Sequence, residues 1–192
     1  MDPSRRALSA ARHMIASLET ARLRLREFSE DDAPFVLQLL NEPSFHEFIG
    51  DRGVRTLEDA KRYLREGPIA SYRLNGHGLM HLALRTNDQP IGMCGLVRRD
   101  TLPSPDIGFA LLPEYWNQGY VTEAAAASID HGRRHLGLRE VLGITTPRNT
   151  RSIRVLEKLG LRFREQRALT ADSAELRIFG LALATLALAT LD

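Results

Sequence analysis

The sequence predicts one mixed α/β domain, a sheet with helices packed against it. Three observations predict this. Apolar residues recur at every second position in some segments and at helical spacing in others. Turn residues separate those segments. The segments follow the order β-α-α-β-β-β-α-β-α-β-β with no visible repeat or linker. This order makes an antiparallel meander in the middle and a helix crossover in the second half.

The run TARLRLR, residues 20–26, alternates polar and apolar side chains, as a strand with one wet face does. Ser29 with Asp32 is an acidic variant of the capping box. It opens a helix carrying Phe35, Val36, Leu39 and Leu40 at helical spacing. Thr56 and Asp59 repeat the signature before a second helix over residues 57–65, which Gly67-Pro68 ends. Residues 79–84 read as a strand apolar on both faces. After the turn at residues 87–90, a strand covers residues 91–97. After Ser104-Pro105 another covers residues 106–112, and Pro113 stops it. A helix starts at Tyr120, with Val121, Ala125, Ile129, Gly132 and Leu136 on one stripe. Its alanines and Gly132 allow close approach to a sheet, and Gly137 is its stop. A strand over residues 140–146 follows. Asn149 then opens a helix with Ile153, Leu156 and Leu159 inward, and Gly160 closes it. Residues 161–163 and 175–183 form the last strands.

The chain of 192 residues is long enough for a core without staples. Its single cysteine, Cys94, excludes an internal disulfide framework and fits a cytoplasmic location. A net charge of +2 gives no argument for nucleic acid. Arg12 and His13 interrupt any signal-peptide core, and the apolar run at residues 179–191 is too short to span a bilayer. The chain thus divides into an N-terminal extension (1–18), a domain (19–183) and an apolar tail (184–192), the last compatible with a monomer or a homodimer.

The stretch PEYWNQGYVTEAAAA, residues 113–127, carries the most chemistry. A strand stops, a glycine turn follows, and a helix begins. The first turn of a helix leaves N–H groups without partners, and the helix dipole adds positive character there. Gly119 has no Cβ, so an anion can approach the backbone. The glycine alone justifies only a plain structural turn. The stretch is neither a P-loop nor a dinucleotide fingerprint.

The stretch RNTRSIRVLEKLGLRF, residues 148–163, adds the second half of a pattern. Together with TARLRLR, QPIG at residues 89–92, DIGF at residues 106–109 and YWNQGYVTEA at residues 115–124, it makes the chain resemble the GNAT family of acetyl-CoA-dependent N-acetyltransferases. It is most similar to the branch containing the ribosomal-protein N-terminal acetyltransferases. The resemblance covers residues 19–183. It implies a twisted, mostly antiparallel central sheet with helices on both faces. It implies that the amides of Gln118, Gly119, Tyr120, Val121 and Thr122 wrap the pyrophosphate of coenzyme A. A backbone amide near Ala110, Leu111 or Leu112 would stabilise the developing oxyanion. Asn149 and Ser152 match a second cofactor-facing cluster, and Asn149 is equally a helix cap. Trp116 and Val121 depart from the family's loop residues.

The family's proton donor to the leaving thiolate is often a tyrosine in the later helix. Leu156 stands there, and no tyrosine follows Tyr120. Ser152 is the remaining donor. For the base, Asp106 matches an acid common in the family, with Glu114 and Glu175 as other choices; Glu123 reads as structural. His131 and His135, four apart on a helix, lack a third ligand, so no metal is expected. His77 and His81 carry no function in this reading, and His46 is a candidate acceptor contact. The acceptor is an amine, either a protein N-terminus or a small molecule such as an amine antibiotic, with no nucleic acid or membrane partner. Loops around residues 41–55 and 169–174 would select it. The missing tyrosine also permits a non-catalytic acyl-CoA sensor on the same fold.

Overall fold

The computed structural model describes residues 17–171 and 173–184. The N-terminal extension up to residue 16 and the tail from residue 185 lie outside the described residues. Eight strands form one sheet: β1 (Leu18–Glu19), β2 (Leu23–Arg26), β3 (Leu79–Leu84), β4 (Pro90–Val97), β5 (Asp106–Leu111), β6 (Glu140–Thr145), β7 (Arg162–Ala168) and β8 (Glu175–Ala182). Their spatial order is β1-β2-β3-β4-β5-β6-β8-β7. Every neighbouring pair is antiparallel except β5 and β6, which are parallel. The helices are α1 (Ala33–Leu40), α2 (Pro43–Phe48), α3 (Leu57–Leu64), α4 (Ala70–Asn75), α5 (Tyr120–His135) and α6 (Thr150–Lys158).

Side-chain alternation along the strands builds a core on each face. Leu82, Cys94, Leu96 and Ile107 pack with Ala124, Ala125 and Ile129 of α5 and with Ile153 and Leu156 of α6. Met93 and Leu112 point the other way, under Val36, Leu39 and Leu40 of α1 and Ala60 and Leu64 of α3. The close seat of α5 depends on Gly132, where an added Cβ would stand 2.8 Å from Leu96 Cδ1.

The predicted caps form. Thr56 Oγ1 accepts from Asp59 N at 3.1 Å, and Asp59 Oδ2 accepts from Thr56 N at 3.0 Å. Gly137 and Gly160 follow α5 and α6 in the left-handed region, at φ +65° and +89°.

Three local expectations are corrected. The first strand is split: Thr20 N donates to Leu23 O at 2.9 Å, making a tight bend between β1 and β2. Gly67-Pro68 does not end the second helix. The chain widens into a π turn at Arg65–Ile69 and continues as α4. The wide turn accommodates a proline that would clash with the carbonyl four residues back in a regular helix. The helix stops at Gly76, φ +69°. The third correction is α2, a helix that the apolar pattern of so short a segment does not reveal.

The pairing of β5 fixes the site. β5 holds six registered pairs with β4 but one with β6, Asp106↔Leu142. A further bond runs from Leu142 N to Pro105 O at 2.9 Å. The two strands therefore touch at the start of β5 and part toward Leu111, leaving a wedge in the sheet.

Candidate active site

The opened end of β5 presents backbone donors. Leu112 N donates to Ile91 O at 2.9 Å, so Leu112 faces β4. In an antiparallel ladder successive residues turn their N–H and C=O to opposite sides. Leu111 and Phe109 therefore direct their N–H groups into the wedge. The Leu111 carbonyl is taken by Trp116 Nε1 at 2.9 Å. Among the described residues the Leu111 N–H has no strand partner there.

The loop from β5 to α5 forms one rim. Asn117 (φ +61°) and Gly119 (φ +79°) are both left-handed, and Gly119 precedes the first turn of α5. The first backbone amide that α5 satisfies internally is that of Glu123, bonded to Gly119 O at 3.1 Å. The amides of Tyr120, Val121 and Thr122 are the free donors of the helix start. Arg22 braces the loop: Nη1 donates to Gln118 O at 2.9 Å, Nε donates to Glu123 Oε2 at 2.6 Å, and the guanidinium stacks 4.5 Å from the Tyr120 ring. Burial alone raises the Glu123 carboxyl, but bonds from Thr20 and Arg22 outweigh it and hold the group below its ordinary value.

A cleft of about 320 Å³ joins these parts. Phe109, Ala110 and Leu111 form its back, and Trp116, Asn117 and Gly119 to Thr122 form the rim. Asn149, Arg151, Ser152, Arg154 and Lys158 of the α6 region form a basic wall. Asn149 Oδ1 caps α6 by accepting from Ser152 N at 3.0 Å. Arg151 lies 4.8 Å from the Trp116 ring. Opposite stand Glu42, Ser44, Phe45 and Phe48 around the start of α2.

Seven of the expected positions meet in this cleft: Leu111, Gly119, Tyr120, Val121, Thr122, Asn149 and Ser152. Three do not. Asp106 sits where β5 and β6 touch, is 1% exposed, and bonds Arg99 Nε at 2.8 Å. Burial pushes its carboxyl up, while Arg99 opposes the shift. Its place in the closed end of the wedge separates it from the cleft. Leu112 spends its amide on β4 and packs under α1 and α3. Gln118 is exposed, and its side-chain Nε2 donates to Glu114 O at 2.9 Å. Glu114, Glu175 and His46 also lie outside the lining.

The acidic and aromatic wall at α2 falls within residues 41–55, the segment expected to select the acceptor; the helix and its individual lining residues were not foreseen. Its one signal was Pro43 after Glu42, a proline suited to the first helical position. His131 and His135 stack at 4.8 Å, and among the described residues no group of three or more metal-ligating side chains forms. No helix among the described residues is long and apolar enough to cross a membrane.

The donor set suits a phosphorylated thioester: free amides at a helix start for a pyrophosphate, a basic wall beside them, and an unpaired strand amide for a carbonyl oxygen. The comparisons agree. The chain is 29% identical over 145 residues to the uncharacterized N-acetyltransferase YnaD of Bacillus subtilis (strain 168), covering 76% of this chain and 82% of that protein. It is 30% identical over 152 residues to YkkB of the same organism, covering 76% and 85%. An acetyltransferase from Agrobacterium tumefaciens shares the fold with a TM-score of 0.75 at 24% identity, covering 88% of this chain and 95% of that one. RimL, a ribosomal L7/L12 alpha-N-protein acetyltransferase solved with coenzyme A, superposes with a TM-score of 0.74 at 14% identity, covering 88% and 98%. The acetyltransferase (GNAT) domain family matches residues 22–162, and with the wedge and its donors in place this chain belongs to that family as an acetyl-CoA-dependent N-acetyltransferase.

Proposed function

We propose that the enzyme acetylates the free amino terminus of a protein or peptide, with acetyl-CoA and acceptor bound together and no covalent enzyme intermediate. The observation that carries the reading is the Leu111 N–H, left unpaired where β5 parts from β6, beside the start of α5. The same overall fold in RimL, whose name gives an alpha-N-protein substrate, supports a protein N-terminus as acceptor.

Acetyl-CoA, when bound, supplies an activated acetyl thioester. Gly119, Tyr120, Val121 and Thr122 would hold its pyrophosphate through backbone amides. Asn149, whose Oδ1 is engaged in the cap, offers its Nδ2 group to the pantetheine arm. The Leu111 amide stabilises negative charge developing on the carbonyl oxygen, an effect worth roughly 3–4 kcal/mol for one such donor. The Ser152 hydroxyl, half-buried in the cleft, protonates the departing sulfur. Leu156 is 1% exposed and packed in the core, so it leaves that task to Ser152. Cys94 supports direct transfer. It is the chain's single cysteine, fully buried, and burial pushes its thiol up to about 12, far from a nucleophilic thiolate.

The test is thiol release from acetyl-CoA with a panel of free-N-terminal peptides and small amines. Peptide turnover well above that of the small amines is expected. Turnover of small amines alone would assign a small-molecule acceptor, and acetyl-CoA binding without any turnover would favour a sensor.

A further inference from the structure

Glu42 is the only carboxylate lining the cleft among the described residues. It stands between α1 and α2, and its backbone is fixed. Glu42 N donates to Leu39 O at 3.3 Å, and Glu42 O accepts from Phe45 N at 2.9 Å and His46 N at 3.2 Å. Beside it, Asn41 Nδ2 donates to Leu37 O at 2.8 Å and Val54 O at 2.9 Å, tying this turn to the following loop. Pro43 fixes the next backbone angle.

Glu42 is half-buried, and among the described residues its carboxylate makes no hydrogen bond or ion pair. The nearby cation Arg55 pairs with Asp51, and His46 Nε2 makes no hydrogen bond among the described residues. A carboxylate with no internal partner at the wall of the cleft is free to pair with an external cation. Phe45, Phe48 and Leu39 add apolar surface to the same cleft.

The geometry points to Glu42 as the catalytic residue that binds the acceptor's ammonium and takes its proton, for acceptors whose first residue carries an apolar side chain. This rests on the acetyl-transfer reading above. The proton balance closes. The ammonium gives one proton to Glu42, which passes it to solvent. The freed amine lone pair forms the C–N bond as the C–S bond breaks. The second nitrogen proton replaces the one Ser152 gives to sulfur. The products are an amide, a thiol and one released proton.

The experiment uses Glu42→Gln and Glu42→Asp in the full chain. Its probes are acetyl-CoA in calorimetry, and Phe-Ala-Ser amide and Asp-Ala-Ser amide in turnover across pH 6.5–9.5. Expected for the wild type is a preference for the Phe peptide. Glu42→Gln should lose about 100-fold in kcat/KM at pH 7, the low end of what a positioned base contributes. The loss should shrink as pH passes the α-amino pKa near 8, where the amine deprotonates unaided. Glu42→Asp should recover part of the loss, and acetyl-CoA affinity should match wild type in both variants. Activity of Glu42→Gln within twofold of wild type, or a loss equal at every pH, overturns the assignment. So does a wild type that binds acetyl-CoA yet acetylates neither peptide. Failure of the wild type to bind acetyl-CoA instead overturns the cofactor site on which the assignment rests.

Discussion

Arg22 and Glu123 are 101 positions apart in the chain and meet at 2.6 Å, Nε to Oε2. Glu123 Oε1 also accepts from Thr20 Oγ1 at 2.6 Å and Arg22 N at 2.9 Å. One carboxylate in the first turn of α5 thereby ties the cofactor loop to the bend before β2. The acid sits where the helix dipole favours it. Its larger contribution is to hold Arg22, which in turn holds Gln118 O. Glu123→Ala should therefore lower stability by about 1 kcal/mol, a melting shift of roughly 2–4 °C at this chain length. It should also weaken acetyl-CoA binding several-fold through the loosened loop. Thermal melts and calorimetry on the same samples check both; a melting shift with unchanged affinity would separate the brace from the site.

Gly119 holds φ +79°, and an added Cβ would stand 3.4 Å from Arg22 Nη2. Gly119→Ala is expected to cost about 1–2 kcal/mol in backbone strain. Affinity for acetyl-CoA should fall with it, because Tyr120, Val121 and Thr122 take their amide directions from this residue. Urea unfolding and a binding titration measure the two effects.

Asn149 has two roles to separate. Asn149→Ser keeps an oxygen for the Ser152 amide and removes the Nδ2 donor; Asn149→Ala removes both. The Ala variant should lose about 1 kcal/mol of stability and the Ser variant little. Both should raise the KM for acetyl-CoA to a similar extent. A KM change that tracks stability would leave Asn149 as a cap alone.

His81 sets a pH limit on the fold. Its ring lies in the core, 3% exposed, edge-on to Phe28 and Phe35, and Nδ1 has no partner among the described residues. Burial, with Arg26 nearby, lowers its pKa from 6.5 to about 4, against the opposing pull of Asp32. The folded state keeps this base neutral, while the unfolded chain binds a proton below about 6.5. The His81 contribution is therefore intact above pH 6.5 and is lost as pH falls toward 4, about 3 kcal/mol in all. Urea midpoints between pH 7.5 and 4.5 should fall accordingly, and His81→Leu should flatten the slope.

The elements with clear punctuation were legible in the sequence. β3, β4 and β5 are separated by turns at residues 87–90 and 104–105, and Thr56 with Asp59 marks the start of α3. The cofactor rim was legible because Gly119 and Asn149 each stand at a helix start. The place of Asp106 was not, because the parting of β5 from β6 is a matter of strand pairing, which periodicity does not encode. Glu42 was hidden for a related reason. Its significance lies in having no partner among the described residues, and in sharing a cleft with a strand tens of positions away.

Titration of acetyl-CoA into the wild-type protein and Gly119→Glu bears most directly on the wedge. The wild type should bind, and Gly119→Glu should lose binding while its melting curve stays cooperative, because a carboxylate would occupy the phosphate position. No binding by the wild type at millimolar acetyl-CoA, or equal affinity in the two proteins, would contradict a coenzyme A site between β5 and the start of α5.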